Sequence, residues 1–138
     1  MLEREVVQHR GFRNVVKDGE VIGFQVRIRL TGYRGAWLSQ IRFHSVIVDG
    51  VEYGKDVVTW TISGIEYTVD EMKTLGRVMW PLNETATLTV KKPGGLSQGE
   101  HEVAVIFGHI ASYIPPRVDD MYIERAKANP NTRKLIIV

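Results

Sequence analysis

The chain has 138 residues, of which 43% are hydrophobic and 25% charged, a length and balance that suit one globular domain with its own core. It contains no cysteine, which excludes disulfides, thiolate metal ligands and a cysteine nucleophile. The net charge is only +2 and the longest basic run is Lys91-Lys92, so we expect no nucleic-acid binding.

The first half of the chain shows the alternation of apolar and polar residues that is typical of strands with one buried face. Two Asp-Gly pairs, at 18–19 and 49–50, each join two such segments. Asp-Gly favours the type I′ turn of a hairpin, because both turn positions need a positive φ. The predicted strands are residues 12–17, 21–30, 41–48 and 51–53, and on the third of them Ile41, Phe43, Ser45 and Ile47 share one face.

The second half of the chain contains further strands and two short helices. A capping box of Thr68 and Glu71 predicts a helix that ends near Gly76, with Met72 and Leu75 facing inward. A second helix is predicted to begin after Asp119 or Asp120 and to run through residues 121–127, because the Asn-Pro pair at 129–130 should stop it. The predicted strands are residues 58–62, 85–90, 103–110, which is apolar on both faces like a central strand, and 135–138.

Together these elements predict an all-β fold, an antiparallel β-sandwich of two sheets with one or two short helices. We predict a single domain over residues 1–138, with a C-terminal helix and strand extension from about residue 117. No apolar run approaches the roughly 18 residues of a membrane helix. The first residues are charged and no apolar stretch follows them, so we expect no secretion signal and a cytoplasmic protein that does not contact membranes.

Two patterns resemble catalytic motifs. Residues 95–99, Gly-Leu-Ser-Gln-Gly, match the nucleophile elbow, which needs a strand that turns sharply into a helix. Here Pro-Gly-Gly precedes Ser97 and a strand pattern follows it, so we interpret the segment as a hairpin loop. Asp119 and Asp120 could act as an acid–base pair, but their place at a predicted helix N-terminus favours capping.

The four histidines do not form a metal site in the sequence. His101 and His109 lie eight residues apart on one predicted strand, roughly 26 Å, and cannot share an ion. His9 and His44 are placed on other strands, without a carboxylate at ligand spacing. We expect each histidine to be a surface or strand-end residue, and predict no catalytic, cofactor-binding or metal-binding residue in this chain.

Two loops have the composition of contact surfaces. Residues 31–38 place Tyr, Arg and Trp between glycines, and residues 112–118 form a proline-rich strap with Tyr and Arg. Alternatively, Trp37 folds back as a lid on the core, and the strap is a plain crossover to the second helix. The neighbouring apolar residues 121–123 could also dock on a partner. The predicted partner-interface residues are Tyr33, Arg34, Trp37, Tyr113, Pro115, Pro116 and Arg117.

Several stretches in order resemble the small β subunit of the bacterial C-glycoside deglycosidases. They cover most of residues 10–115. The matching stretches are Arg10–Val15, Gly23–Leu30, Tyr33–Gly35, Val48–Gly50, Tyr67–Glu71, Thr87–Leu96, Gly99–Val103 and Ser112–Pro115.

The resemblance implies a β-sandwich that pairs with a TIM-barrel α subunit in a hetero-oligomer. It implies a divalent metal, Mn or Mg, on that α subunit and no cofactor on this chain. The implied reaction cleaves the carbon–carbon bond between a 3-keto sugar and a flavonoid-type aglycone of a 3-keto-C-glycoside. The β subunit would cap or brace the active site of its partner.

Two other functions remain open at this point. A stand-alone carbohydrate-binding module would use exposed Trp37, Trp60 or Trp80, although the patterns around Trp60 and Trp80 favour core packing for both. A small independent enzyme would use Asp119 and Asp120.

Overall fold

A computed structural model describes residues 2–31, 34–109, 119–128 and 130–138 of the chain, with the backbone alone for 119–122. The elements within these residues confirm the predicted all-β fold with two short helices. The strands are β1 Arg13–Lys17, β2 Glu20–Arg29, β3 Ala36–Trp37, β4 Ile41–Val48, β5 Val51–Tyr53, β6 Val58–Ile62, β7 Ile65–Thr68, β8 Met79–Trp80, β9 Thr85–Lys91, β10 Gly99–His109 and β11 Asn131–Ile137, and the helices are α1 Val69–Met72 and α2 Asp119–Ala128.

The strands form two main antiparallel sheets. One has five strands in the order β1-β2-β9-β6-β7, and the other has four in the order β11-β10-β4-β5. Aromatic rings of the two sheets contact each other. The ring centroids of Trp60 on β6 and Phe107 on β10 lie 5.9 Å apart, and those of Phe24 on β2 and Tyr53 on β5 lie 5.4 Å apart. The predicted β-sandwich is therefore confirmed, and a small third sheet pairs β3 with β8.

The predicted alternation places the core where expected on three strands of the five-stranded sheet. Their inward positions are buried, because each has apolar side chains at every second residue. On the opposite sheet, β10 lies between β11 and β4, which confirms its prediction as a central strand. The inward residues are Phe24, Val26 and Ile28 on β2, Val58, Trp60 and Ile62 on β6, and Ala86, Leu88 and Val90 on β9.

Turn chemistry also follows the sequence. Both residues of each Asp-Gly pair have a positive φ, 52° and 79° at 18–19 and 51° and 85° at 49–50, as type I′ turns require. A third turn of this kind, Ser63-Gly64, joins β6 to β7 and was not predicted. The capping box of Thr68 and Glu71 is present at α1, whose Met72 is buried.

The predicted inward face of β4 is wrong beyond Phe43. The pairing register of β4 with β10 shifts between Ile106 and Phe107, so that these residues pair with Ser45 and Phe43. One extra residue in an antiparallel strand turns every later side chain to the opposite face. Val46 and Val48 are consequently in the core, and Ile47, which we predicted to face inward, is only partly buried.

Several boundaries differ from those predicted. β10 begins at Gly99 and β11 at Asn131, each four residues before its predicted start, because the two strands pair from Gly99–Ile137 to Val105–Asn131. The strands β3, β7 and β8 have only two to four residues each and were missed. The predicted end of β10 at Ile110 lies outside the described residues.

The strand register gives the sandwich two distinct ends. At one end, which we call the loop end, β2 and β10 finish and β4, β9 and β11 begin, with Arg29 opposite Thr85 and His109 opposite Ile41. At the other, which we call the turn end, lie the two Asp-Gly turns and the start of β10. Residues 32–33 and 110–118 both follow directly from strands or residues at the loop end.

Candidate functional site at the loop end of the sandwich

Ser97 is not placed as a nucleophile elbow. Residues 92–98 connect β9 of the five-stranded sheet to β10 of the four-stranded sheet, and a strand rather than a helix follows. The loop interpretation is therefore confirmed, but the predicted hairpin is wrong because β9 and β10 belong to different sheets. Asn14 holds the loop through two hydrogen bonds of 2.8 Å with Leu96.

His101 lies near the start of β10 at the turn end and is buried. Of the two places predicted for it, the surface or a strand end, the surface is therefore wrong. The His101 side chain is 7% exposed, its Nδ1 lies 2.6 Å from Asp49 Oδ2, and its Nε2 lies 2.7 Å from the carbonyl oxygen of Ser97. Both ring nitrogens therefore face acceptors, which favours the doubly protonated imidazolium. The contact with Ser97 is made by its backbone, so this arrangement is a structural clamp between the β4–β5 turn and β10.

The electrostatics of the clamp agree with its geometry. Burial alone lowers the pKa of His101, but the hydrogen bonds to Ser97 and Asp49 outweigh it and raise that pKa above its ordinary value. The same bond from His101, with a 2.9 Å bond from the Glu102 N–H, holds the pKa of Asp49 below its usual range. The ionised pair is the favoured state in the fold.

We expect the clamp to give the protein a characteristic pH dependence. A raised His101 pKa stabilises the fold fully below the unfolded value of about 6.5, and this is lost as pH rises through the folded pKa. A lowered Asp49 pKa stabilises it above about 3.9, and this is lost as pH falls through the folded pKa. The pair therefore contributes most between about pH 4 and pH 6.5.

His101→Gln should lower the free energy of unfolding by about 1–2 kcal/mol near pH 5.5, since the Asp49 carboxylate is half exposed and screened. Urea denaturation from pH 4 to pH 9 should show the difference from wild type shrinking above neutral pH. His109→Gln is the control, because burial lowers the pKa of His109 and its effect has the opposite sign. A constant difference for His101→Gln across this range would contradict the role of the ionised pair.

The remaining histidines partly depart from their predictions. His9 lies in a bend before β1 rather than on a strand. His44 is on β4 as expected, but Glu52 of β5 lies 3.7 Å from its Nδ1, so a carboxylate does accompany it. Within the described part of the chain, no group of three or more His, Asp or Glu side chains is arranged to hold a metal ion.

The loop end exposes an apolar pair at the small sheet. Trp37 of β3 lies directly opposite Met79 of β8, and their residues are 38% and 39% exposed. Arg34, three residues before Trp37, is exposed as well. Exposed large apolar side chains, with an exposed arginine nearby in the sequence, have the composition of protein contact sites.

The backbone around Trp37 is firmly held. Its neighbours Ala36 and Leu38 are buried, and the Leu38 N–H donates to the carbonyl of Val78 at 2.9 Å. A Cβ on Gly35 would lie 2.7 Å from the Trp80 carbonyl oxygen, so only glycine allows this approach. Trp37 is thus presented on a fixed backbone and is not a closed lid over the core.

Of the predicted interface residues, Arg34 and Trp37 are described and both lie at the loop end. Tyr33, Tyr113, Pro115, Pro116 and Arg117 lie outside the described residues. The chain enters these segments from Thr31 and His109, and both line one cavity between the end of β10, α2 and the start of β11. Thr31 and His109, the last described residues before these segments, therefore lie at the same end of the molecule.

The sequence did not lead us to predict Met79 as an exposed residue of this surface. Two-residue strands carry too little alternation to predict, so the pairing of β3 with β8 left no sequence pattern. The available signal was composition, since Met79 precedes Trp80 in a segment rich in large apolar residues, Val-Met-Trp-Pro-Leu.

The other tryptophans and helices bear on the competing functions. Trp60 and Trp80 are fully buried, which confirms their prediction as core residues and removes them as sugar-stacking surfaces. The backbone confirms the second helix, which begins at Asp119 itself and therefore earlier than predicted. The side chains of Asp119 and Asp120 lie outside the described set. Among the described helices, none has the length and apolar character needed to cross a bilayer.

Two comparisons with known proteins agree with each other. A family model described as C-glycoside deglycosidase beta subunit matches residues 2–113. A curated protein of Eubacterium cellulosolvens (strain ATCC 43171 / JCM 9499 / 6), the C-glycoside deglycosidase beta subunit, is 41% identical over 147 aligned residues. The alignment covers 99% of this chain and 100% of that relative.

Proposed function

Because the chain belongs to the family of C-glycoside deglycosidase beta subunits, we propose that it acts as the accessory subunit of a heteromeric C-glycoside deglycosidase. The identity over essentially the full length of both chains carries this proposal. The partner in this proposal is a TIM-barrel α subunit, and the divalent metal, Mn or Mg, belongs to that subunit. The complex would work in the cytoplasm, where a chain without cysteine needs no oxidising environment.

The proposed reaction cleaves the carbon–carbon bond between a 3-keto sugar and a flavonoid-type aglycone. In this proposal the metal and the chemical steps belong to the α subunit, and no step of the reaction is assigned to residues of this chain. Its proposed part is physical: to cap or brace the active site of the α subunit and exclude water from it. The exposed pair Trp37 and Met79 and the neighbouring Arg34 support the loop end as the face that meets the partner.

The accessory role is tested by measuring the activity of the assembled complex and of its separate subunits. This chain and the α subunit are to be purified separately and then combined, with a 3-keto-C-glycoside as substrate and size-exclusion chromatography to verify association. We expect turnover from the combined subunits and none above background from this chain alone. Turnover by the isolated chain, or full turnover by the α subunit without it, would overturn the accessory role.

Calorimetry tests the competing function, a stand-alone carbohydrate-binding module. Since two of the three tryptophans are buried in the core, we expect no measurable heat when free sugars are added to the isolated chain. Tight sugar binding without a partner would favour the module instead.

A further inference from the structure

The two Asp-Gly turns at the turn end have the same sequence and nearly the same backbone. Asp18 and Asp49 have φ values of 52° and 51°, and the glycines that follow them have 79° and 85°. A Cβ on either Gly19 or Gly50 would meet nothing within 4 Å, so no neighbouring atom crowds either glycine. A difference in reactivity between the two turns therefore depends on how each aspartate is held.

An Asp-Gly pair can isomerise without any enzyme, since glycine has no side chain to shield its backbone nitrogen. That nitrogen attacks Cγ of the aspartate, a new C–N bond closes a succinimide ring, and the amide proton leaves with the carboxyl hydroxyl as water. Water then opens the ring at either carbonyl and yields aspartate or isoaspartate, in which the backbone continues through the side-chain carboxyl. The water that enters replaces the water that left, so no other reactant is needed.

Asp49 is held away from this reaction by its neighbours on β10. Its Oδ2 lies 2.6 Å from His101 Nδ1, its Oδ1 accepts from the Glu102 N–H at 2.9 Å, and its own N–H donates to the Glu102 carbonyl at 2.9 Å. Hydrogen bonds to an ionised carboxylate are strong, and the ring can close only after the carboxyl has left both partners. The bonds from His101 and Glu102 also lower the pKa of Asp49, whereas the reacting carboxyl must be protonated before its hydroxyl can leave.

Asp18 has none of these restraints. It is exposed, and no described residue forms a hydrogen bond or ion pair with its side chain. It follows β1, which lies at the edge of the five-stranded sheet, whereas β4, which leads to Asp49, is paired on both sides. An edge strand opens locally more easily than an internal one, because only one neighbour holds it. Such opening brings the Gly19 nitrogen to the Asp18 carboxyl.

We propose that Asp18-Gly19 is a site of spontaneous isoaspartate formation in the folded protein, and that the clamp on Asp49 protects Asp49-Gly50 from the same reaction. This modification goes beyond the accessory role, since it requires neither a partner subunit nor a substrate. Its product has one additional backbone carbon in a two-residue turn, which the type I′ geometry does not accommodate. The β1–β2 turn would therefore change its shape while the internal strands remain paired.

Peptide mapping of the full chain, incubated in mildly acidic buffer and sampled over weeks, measures isoaspartate at both sites. Isoaspartate has the mass of aspartate, so it is recognised by a changed retention time and by labelling with a protein isoaspartate methyltransferase. We expect it to accumulate about tenfold faster at residue 18 than at residue 49, because the Asp49 carboxyl must first leave charge-assisted hydrogen bonds. Comparable rates at the two sites, or a faster rate at residue 49, would overturn the proposal.

The same chain unfolded in urea is the control for the influence of the fold. Neither Asp-Gly pair then has its folded surroundings, so the two rates should become similar. If residue 18 forms isoaspartate in urea but not in the folded chain, the β1–β2 turn is too rigid to react and the proposed site is wrong.

A histidine variant tests the protection of Asp49. His101→Gln removes the imidazolium and should raise the rate at residue 49 severalfold, while the rate at residue 18 stays unchanged. Residue 18 thereby reports on general destabilisation, which would raise both rates together. His9→Gln, a change at an exposed histidine, should alter neither rate. An unchanged rate at residue 49 in His101→Gln, or an equal rise at both residues, would show that the clamp does not protect Asp49.

Discussion

Replacing Trp60 with alanine should lower the free energy of unfolding by about 3–5 kcal/mol, a large part of the 5–15 kcal/mol typical of a small domain. Trp60 is fully buried between the two sheets. Its ring contacts those of Phe43, Trp80 and Phe107 at centroid distances of 5.7, 5.6 and 5.9 Å. Alanine would leave a cavity at the point where the sheets meet, and the fixed strands around it cannot close that space.

Urea denaturation followed by far-UV circular dichroism measures this loss. Trp60→Phe is the matched variant, because it keeps an aromatic ring and removes an indole N–H that has no hydrogen-bond partner among the described residues. We expect Trp60→Phe to cost clearly less than Trp60→Ala, because the phenyl ring fills part of the space that alanine leaves empty. Similar losses for phenylalanine and alanine would mean that the aromatic cluster is not what the residue contributes.

Replacing Trp37 with alanine should leave the fold intact but weaken association with the α subunit roughly 30-fold, or about 2 kcal/mol. Trp37 is 38% exposed and lies opposite exposed Met79 on the small sheet. A tryptophan on a held backbone loses little conformational entropy when a partner covers it, and such residues dominate binding energy. Its own stability cost should stay within about 1 kcal/mol, in contrast to that of Trp60.

Titration calorimetry with the purified α subunit gives the change in Kd. Ile136→Ala is the control, since Ile136 is similarly exposed but pairs with Glu100 at the turn end. Alanine variants of Tyr33, Arg34, Tyr113, Pro115, Pro116 and Arg117 extend the scan to the other predicted contact residues. Normal affinity and full activity in all of these variants would show that the loop end is not the contact face.

Local patterns predicted much of this fold from the sequence. The alternation on β2, β6 and β9 required only apolar residues at every second position, and each Asp-Gly turn required only its own two residues. The capping box at Thr68 was equally local. In each case the signal and the structure that it specifies lie within a few neighbouring residues.

The features that escaped prediction depend on residues far apart in the chain. The bulge in β4 reflects a one-residue shift in its pairing register with β10. No pattern within β4 alone predicts that shift. The β9–β10 loop crosses between sheets because the partners of β10 are β4 and β11. His101 shares the parity of the inward residues Val103 and Val105, and that signal, taken together with Asp49, could have indicated its burial.

The position of β9 in the five-stranded sheet also determines how the protein can fold. The β1–β2 and β6–β7 hairpins have tight turns and can form within microseconds, but among the described strands only β9 joins them. Its pairing brings Arg29 to Thr85 and Gly23 to Lys91, contacts that close long loops and make folding slow. During synthesis, the edges of β2 and β6 that pair with β9 therefore stay unpaired until the chain has emerged from the ribosome beyond Lys91.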